Sequence, residues 1–249
     1  MSRKCRHVSE SVQTRLRQMR VSQGHELVPA ADGSTLALAE VRISPGGGLT
    51  VADHERDSLL FVFAGAGSLG LGSDRQPLAP GAAALVLAGE EAMLEADDTE
   101  LAVICATADS EADRHAPLGS REVVARLDDA GSEKATGARS FQILFGPHNG
   151  STRATLFAGF IAPGKAPWHY HLYDEIVWVP EGPGQLHTGE TTEALGRGSA
   201  FRLRPRQVHI VENLSTANEM TVIGIFTPAG SPSAAYLTPE IAAEYRFAG

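Results

Sequence analysis

A chain of 249 residues with 43% hydrophobic and 20% charged residues has the makeup of a soluble globular protein with one large or two small domains. Its net charge of −9, from 21 basic and 30 acidic residues, argues against nucleic acid or an anionic membrane as a partner, since phosphate binding needs a basic face. No apolar run approaches the ~20 residues that cross a bilayer, and the two cysteines, Cys5 and Cys105, offer neither a disulfide framework nor a CxxC metal site. A reducing cytoplasm is the expected location.

In chain order, residues 1–24 read as an arm. Six of its first twenty residues are basic (Arg3, Lys4, Arg6, Arg15, Arg17 and Arg20), and the arm is expected to be solvated, with some amphipathic helical pattern over 8–20. Short apolar runs broken by Gly, Pro and Asp follow: LLFVFAG, AALVLAG and LAVICA, then FQILFG, TLFAGFIAPG, EIVWVPEG, AFRLRP and MTVIGIF. Such lengths and breakers predict β-strands joined by tight turns. Residues 111–137 are polar and read as a linker with a short helix at 120–127. The tail, 231–249, contains the amphipathic PEIAAEYRF.

An internal repeat divides the chain. His54, Gly65 and Gly81 return as His171, Gly182 and Gly198, at a constant offset of 117 residues. Upstream, LALAEVRISPGG (36–47) parallels LFAGFIAPGK (156–165). Two all-β units are predicted, at 25–110 and 138–230.

Candidate chemistry concentrates in GKAPWHYHLYDEIVWVPEG (164–182). His169, His171 and Glu175 share one parity, so on a single extended strand all three side chains face the same way. A later strand in GSAFRLRPRQVHIVEN (198–213) supplies His209. Three imidazoles and one carboxylate make a borderline-hard donor set suited to one divalent Fe, Mn, Zn, Ni or Co ion per chain, with Fe or Mn favoured. The set lacks the thiolates that closed structural zinc sites prefer. Four protein ligands leave two open positions on an octahedral ion, as catalysis requires. Free imidazoles titrate near 6.5, so metal retention is expected to weaken below about pH 6.

Gly164-x4-His169-x-His171-x3-Glu175-x6-Gly182 resembles the first motif of the cupin superfamily, and Gly198…Pro205…His209-x3-Asn213 resembles the second. The first motif matches at every ligand position. The second departs from the pattern: its proline comes one residue late, and Gln207 stands where a glycine is usual. With the repeat included, the resemblance covers most of 30–230. It implies an all-β bicupin of two tandem jelly-roll-like barrels. On the repeat, His169, Glu175 and His209 fall on Ala52, Ser58 and Ala92, so the N-terminal barrel, 25–110, is read as degenerate and without metal. His54 alone cannot hold an ion, and Asp53, Glu55 and Asp57 beside it read as a solvated loop.

Tyr173 shares the ligand parity and is the candidate catalytic side chain, as a proton carrier or as an aromatic wall. Val177 and Val179 continue that face. Trp168 and Trp178 have the opposite parity and read as packing residues. His148 and His187 read as turn or hairpin histidines, Arg202, Arg204 and Arg206 as solvated charges, and Asn213 as a brace for the ligand strand. No P-loop, nucleophile elbow or dinucleotide-binding glycine pattern is present. The leading expectation is a metal-dependent oxygenase or dioxygenase acting on a small organic molecule. The alternatives are a Lewis-acid isomerase, lyase or hydrolase, with Tyr173, Glu181 or His187 as base, and a non-catalytic cupin that binds a metabolite or sugar. A monomer or homodimer is expected.

Overall fold

The computed structural model describes residues 18–30, 33–127, 133–134, 139–189 and 191–237. Its regular structure is nearly all β, and among the described residues no helix is long and apolar enough to cross a membrane. Two compact units form. The first runs to Ser110 and recruits Glu122–Arg126; the second takes Glu111–Arg121 and the chain from Leu127.

The first unit contains β1 (Gln18–Val28), β2 (Leu36–Ala52), β3 (Asp57–Ala64), β4 (Gly67–Leu71), β5 (Asp74–Leu78), β6 (Ala82–Val86), β7 (Glu91–Ala96), β8 (Leu101–Ala108) and β9 (Val124–Arg126). They make one nine-stranded sheet in the order β5-β4-β7-β2-β8-β3-β6-β9, with β1 added on β2. Strand parity builds its core: Leu49 and Val51 of β2, Ala92 and Leu94 of β7 and Leu101 and Val103 of β8 are all buried in one apolar cluster.

The second unit contains β10 (Glu133–Lys134), β11 (Arg139–Phe145), β12 (Thr155–Ile161), β13 (Gly164–Lys165), β14 (His169–His171), β15 (Asp174–Val179), β16 (Gly184–Thr188), β17 (Thr192–Leu195), β18 (Ser199–Leu203), β19 (His209–Asn213), β20 (Met220–Thr227) and β21 (Ala235–Leu237). One sheet runs β10-β11-β12-β20-β15-β18. The other runs β17-β16-β19-β14-β21, with β13 also on β19. Val177, Val179, Leu186, Val211 and Val222 fill the space between them.

The repeat is visible in this topology. The run β4-β7-β2 of the first unit corresponds to β16-β19-β14 of the second, and β8-β3-β6 corresponds to β20-β15-β18. The long β2 corresponds to a path that the second unit breaks into β12, β13 and β14. Gly81 and Gly198, which mark the repeat in the sequence, both adopt positive φ (88° and 76°) immediately before β6 and β18. A side chain would strain that left-handed backbone.

Three expectations are corrected. Residues 18–24 of the expected solvated, partly helical arm lie in β1, paired with β2 as far as Leu49; residues 1–17 lie outside the described residues. The stretch 120–127 is not helical, because Val124–Arg126 adds as β9 to β6, where backbone donors and acceptors find partners that a short isolated helix lacks. Part of the expected tail, Ala235–Leu237, is β21 on β14; PEIAAEYRF lies outside the described residues.

Gly224 on β20 is a packing test. A Cβ there would sit 2.2 Å from Phe157 Cε1 and 2.9 Å from Glu175 Oε1. Gly224→Ala is expected to destabilise by about 1–3 kcal/mol, the usual cost of overpacking, and to displace the Phe157 ring. Thermal unfolding checks it, and an unchanged melting temperature would refute the packing account.

Candidate metal centre

Four buried polar side chains meet at one end of the second unit: His169 and His171 on β14, Glu175 on β15 and His209 on β19. Each is at most 5% exposed. His169 pairs directly with His209 across β14 and β19, so two imidazoles face each other from neighbouring strands. Their ring centroids are 4.3 Å apart, and those of His171 and His209 are 5.1 Å apart.

The single-strand origin of His169, His171 and Glu175 is corrected. β14 belongs to one sheet and β15 to the other, and the chain crosses between them at Leu172 and Tyr173. Glu175 therefore reaches the imidazoles across the barrel end rather than along one strand. Parity still places all three inward, because each is inward on its own sheet.

Every imidazole is oriented by a backbone carbonyl two residues away. Nδ1–H donates to Pro167 O in His169, to Tyr173 O in His171 and to Gln207 O in His209, each at 2.9 Å. A carbonyl only accepts, so Nδ1 carries a proton in all three rings, and burial keeps the His169 and His209 rings neutral with their Nε2 lone pairs available. His171 Nε2 lies 2.8 Å from Glu175 Oε2 yet makes no hydrogen bond. A buried imidazole nitrogen this close to a carboxylate oxygen is satisfied by a positive charge between them, either a proton or a metal ion. The donor set therefore fits a divalent ion bound by three Nε2 atoms and one carboxylate, with the second nitrogens already anchored.

Burial pushes the His169 and His209 imidazoles down, to about 3 and about 4. Neighbouring positive groups, Arg139 among them, add to the shift at His169. The unfolded chain binds these protons near 6.5 and the folded chain does not until about 4 and then about 3. The contribution to stability is thus full above about pH 6.5 and is lost as pH falls towards 3, at up to ~1.4 kcal/mol per pH unit for each group. Metal retention by the folded protein should accordingly hold to about pH 4, where His209 gains its proton. This is lower than the pH of about 6 expected from free imidazoles. Metal content after dialysis between pH 7 and 3.5, with circular dichroism to follow unfolding, checks it. Release in step with a pKa near 6.5 while the fold persists would refute it.

The cavity at these residues has a volume of about 90 Å³. Phe141, Phe157, Val177, Leu203, Val211 and Val222 make its apolar wall. Tyr173 packs flat on His171 (4.0 Å, 8°) and on Phe226 (4.0 Å, 24°), and its hydroxyl points to Pro232 O at 3.4 Å. Burial, reinforced by the Glu175 carboxylate, pushes its phenol far above the usual value. A phenol held neutral in this way suits the wall better than it suits proton transfer.

Arg139, at the start of β11, also lines the cavity, with Nη1 3.4 Å from His169 Nε2. The sequence reading passed over it. The available signal was its shared parity with Phe141, which places both side chains on one face of the strand. Other candidates lie elsewhere. His187 is buried outside the cavity, bonded to Thr192 Oγ1 (3.0 Å) and Glu212 Oε2 (2.6 Å). Arg202 pairs with Asp174 at 2.6 Å, where both side chains are nearly buried rather than solvated. His148, Glu181, Arg204 and Arg206 are exposed. Trp178 is buried and Trp168 half-buried. Asn213 donates to Ile161 O and Asn218 O, bracing the far end of β19.

In the first unit, Ala52, Ser58 and Ala92 bring no ligand and His54 is exposed. Asp57, read from sequence as solvated, is buried and accepts from Ala88 N–H at 2.9 Å, closing the β3 entrance.

Residues 160–226 match the family model for the cupin domain. No curated protein matches the chain. Among solved structures, a mutant of oxalate decarboxylase from Bacillus subtilis is similar with a TM-score of 0.71 at 12% identity, covering 93% of this chain and 81% of that one. A putative glyoxylate-induced protein from Pseudomonas aeruginosa is similar at 0.69 and 14%, covering 91% and 92%. AerE from Microcystis aeruginosa is similar at 0.65 and 15%, covering 86% and 92%. At this level of identity the likeness establishes a shared fold.

Proposed function

We propose that the cupin barrel around residues 160–226 is a metal-dependent enzyme acting on a small organic acid. One divalent ion, of the Fe(II) or Mn(II) type, is held by His169, His171, Glu175 and His209. The observation that carries this reading is the 2.8 Å approach of His171 Nε2 to the Glu175 carboxylate, with no hydrogen-bond partner assigned to that nitrogen, inside a buried ring of like-oriented imidazoles. The Bacillus subtilis oxalate decarboxylase, which shares the fold, has Mn(II) centres. When bound, such an ion supplies Lewis acidity and open coordination positions for substrate or dioxygen.

The side chains define the rest of the chemistry. Arg139 offers a permanently charged, forked donor beside the imidazoles, suited to a substrate carboxylate. A cavity of about 90 Å³ limits the substrate to a few heavy atoms. The apolar wall lowers the local dielectric and so strengthens the Arg139 contact and the ion–ligand attraction. Tyr173 holds the His171 ring in place by stacking.

Among the described residues, no carboxylate, imidazole or amine lines the cavity beyond the four candidate ligands, and Glu181 and His187 lie away from it. A described lining without a further general base, behind an apolar wall, favours oxidative chemistry with dioxygen over proton-shuttling isomerisation or hydrolysis. A redox-neutral lyase or decarboxylase is the second reading. Arg139 favours it, since loss of carbon dioxide needs a fixed carboxylate and little proton traffic.

Elemental analysis of protein purified without added metal, followed by turnover of small carboxylic acids with and without oxygen, tests the proposal. One equivalent of Fe or Mn and oxygen-dependent turnover are expected. Undiminished anaerobic turnover would eliminate the oxygenase and leave the lyase. Full activity in metal-stripped protein would overturn both.

A further inference from the structure

The first unit contains a partly open cavity of its own, about 140 Å³ in volume. Ala52 and Ser58 line it, at the repeat positions of His169 and Glu175. Where one barrel end holds imidazole and carboxylate, its counterpart holds a methyl and a hydroxyl, and the space is left open. Val41, Leu49, Val51, Leu60 and Val103 form the wall, each buried in the barrel core.

The polar groups of this cavity form one strip. Ser58 of β3 is paired directly with Thr107 of β8, and Leu60 with Cys105, so all four face inward together. Ser58 is hydrogen-bonded to the Cys105 thiol, which burial pushes up to about 12 and keeps neutral. At the mouth, the Arg56 guanidinium is spent on Asp109 at 2.7 Å, and Glu26 and Asp53 add negative charge. Among the described residues, the cavity therefore offers hydroxyl partners, while its one lining cation, Arg56, is already paired. An apolar cavity of roughly 150 Å³ takes a benzene-sized ring.

We infer that the N-terminal barrel binds a small uncharged ring compound of the phenol class, its ring against the Val and Leu wall and its hydroxyl at Ser58 and Thr107. The degenerate barrel thus keeps a binding site of opposite chemistry to its partner. The inference is independent of the metal proposal.

Calorimetric titration of the full-length, metal-loaded protein with phenol and with toluene tests it, together with crystals soaked in each probe. Saturable 1:1 binding of phenol is expected, with the ring located in the first unit. Ser58→Leu and Cys105→Phe fill the space; each should weaken phenol about tenfold or more while leaving metal content unchanged and raising the melting temperature of the free protein. Ser58→Ala should weaken phenol several-fold and leave toluene unaffected. If one filling variant fails to fold, the other and Ser58→Ala decide. The inference is overturned by absence of saturable binding of either probe, by a ring located in the second unit, by a cavity holding only ordered water, or by phenol affinity unchanged in the filled variants.

Discussion

Glu175→Gln is expected to lower metal affinity by at least about a hundredfold and, in the same protein, to raise the melting temperature of the metal-free form. The two effects have opposite signs for one reason. With the ion present, the carboxylate is the only anionic donor of the proposed set, and its loss removes charge neutralisation at a buried site. Even supporting residues around a metal are commonly worth tenfold to a hundredfold. Without the ion, and with the His171 ring neutral, Glu175 Oε2 faces a lone pair on His171 Nε2 at 2.8 Å. The amide nitrogen of Gln donates to that lone pair, satisfying a group that otherwise lies buried without a hydrogen bond. An unmade buried hydrogen bond typically costs about 1–3 kcal/mol. Metal titration and calorimetry with chelator measure the two halves separately. A lower melting temperature for the metal-free variant would show that His171 Nε2 has a partner, and an unchanged metal affinity would remove Glu175 from the ligand set.

Arg139→Gln is expected to raise the KM of the acid substrate by about a hundredfold while leaving bound metal near one equivalent. Truncating one side of a buried, charged hydrogen-bonded pair costs about 2–5 kcal/mol. The loss should appear for the carboxylate and be small for its methyl ester or amide, which carry no charge for the guanidinium to meet. Arg139→Lys should recover part of the loss, because an ammonium keeps the charge but not the forked donor. Equal KM values for acid and ester in the wild-type protein would refute the assignment. So would loss of metal from Arg139→Gln in parallel with activity, which would make the guanidinium a support for His169 instead.

Much of this chain is legible without coordinates. Apolar runs of strand length broken by Gly and Pro mark β3, β6, β8, β11, β12, β15, β18 and β20, because period and turn chemistry act over a few residues. The 117-residue repeat holds strand by strand, since glycines such as Gly81 and Gly198 occupy backbone conformations that other residues resist. His169, His171, Glu175 and His209 stand out because an HxH with a glutamate of matching parity concentrates donors that an apolar strand does not otherwise carry. Those four do converge in one buried cluster.

Sequence alone therefore determined the two-barrel β architecture and which side chains meet at one barrel end. Tertiary structure decided the rest. That His171 and Glu175 sit in different sheets depends on the crossing at Leu172 and Tyr173, and parity says only that each faces inward. The imidazole tautomers depend on where the carbonyls of Pro167, Tyr173 and Gln207 point, which is set by loop conformation. Arg139 joins the site because β11 pairs with the next strand, β12, in a register that sets Arg139 opposite Ile161 at the cavity, and register is not written in either strand alone. The hollow left by Ala52 and Ser58 is a volume, and volume is a property of packed side chains in three dimensions that no local pattern of residues encodes.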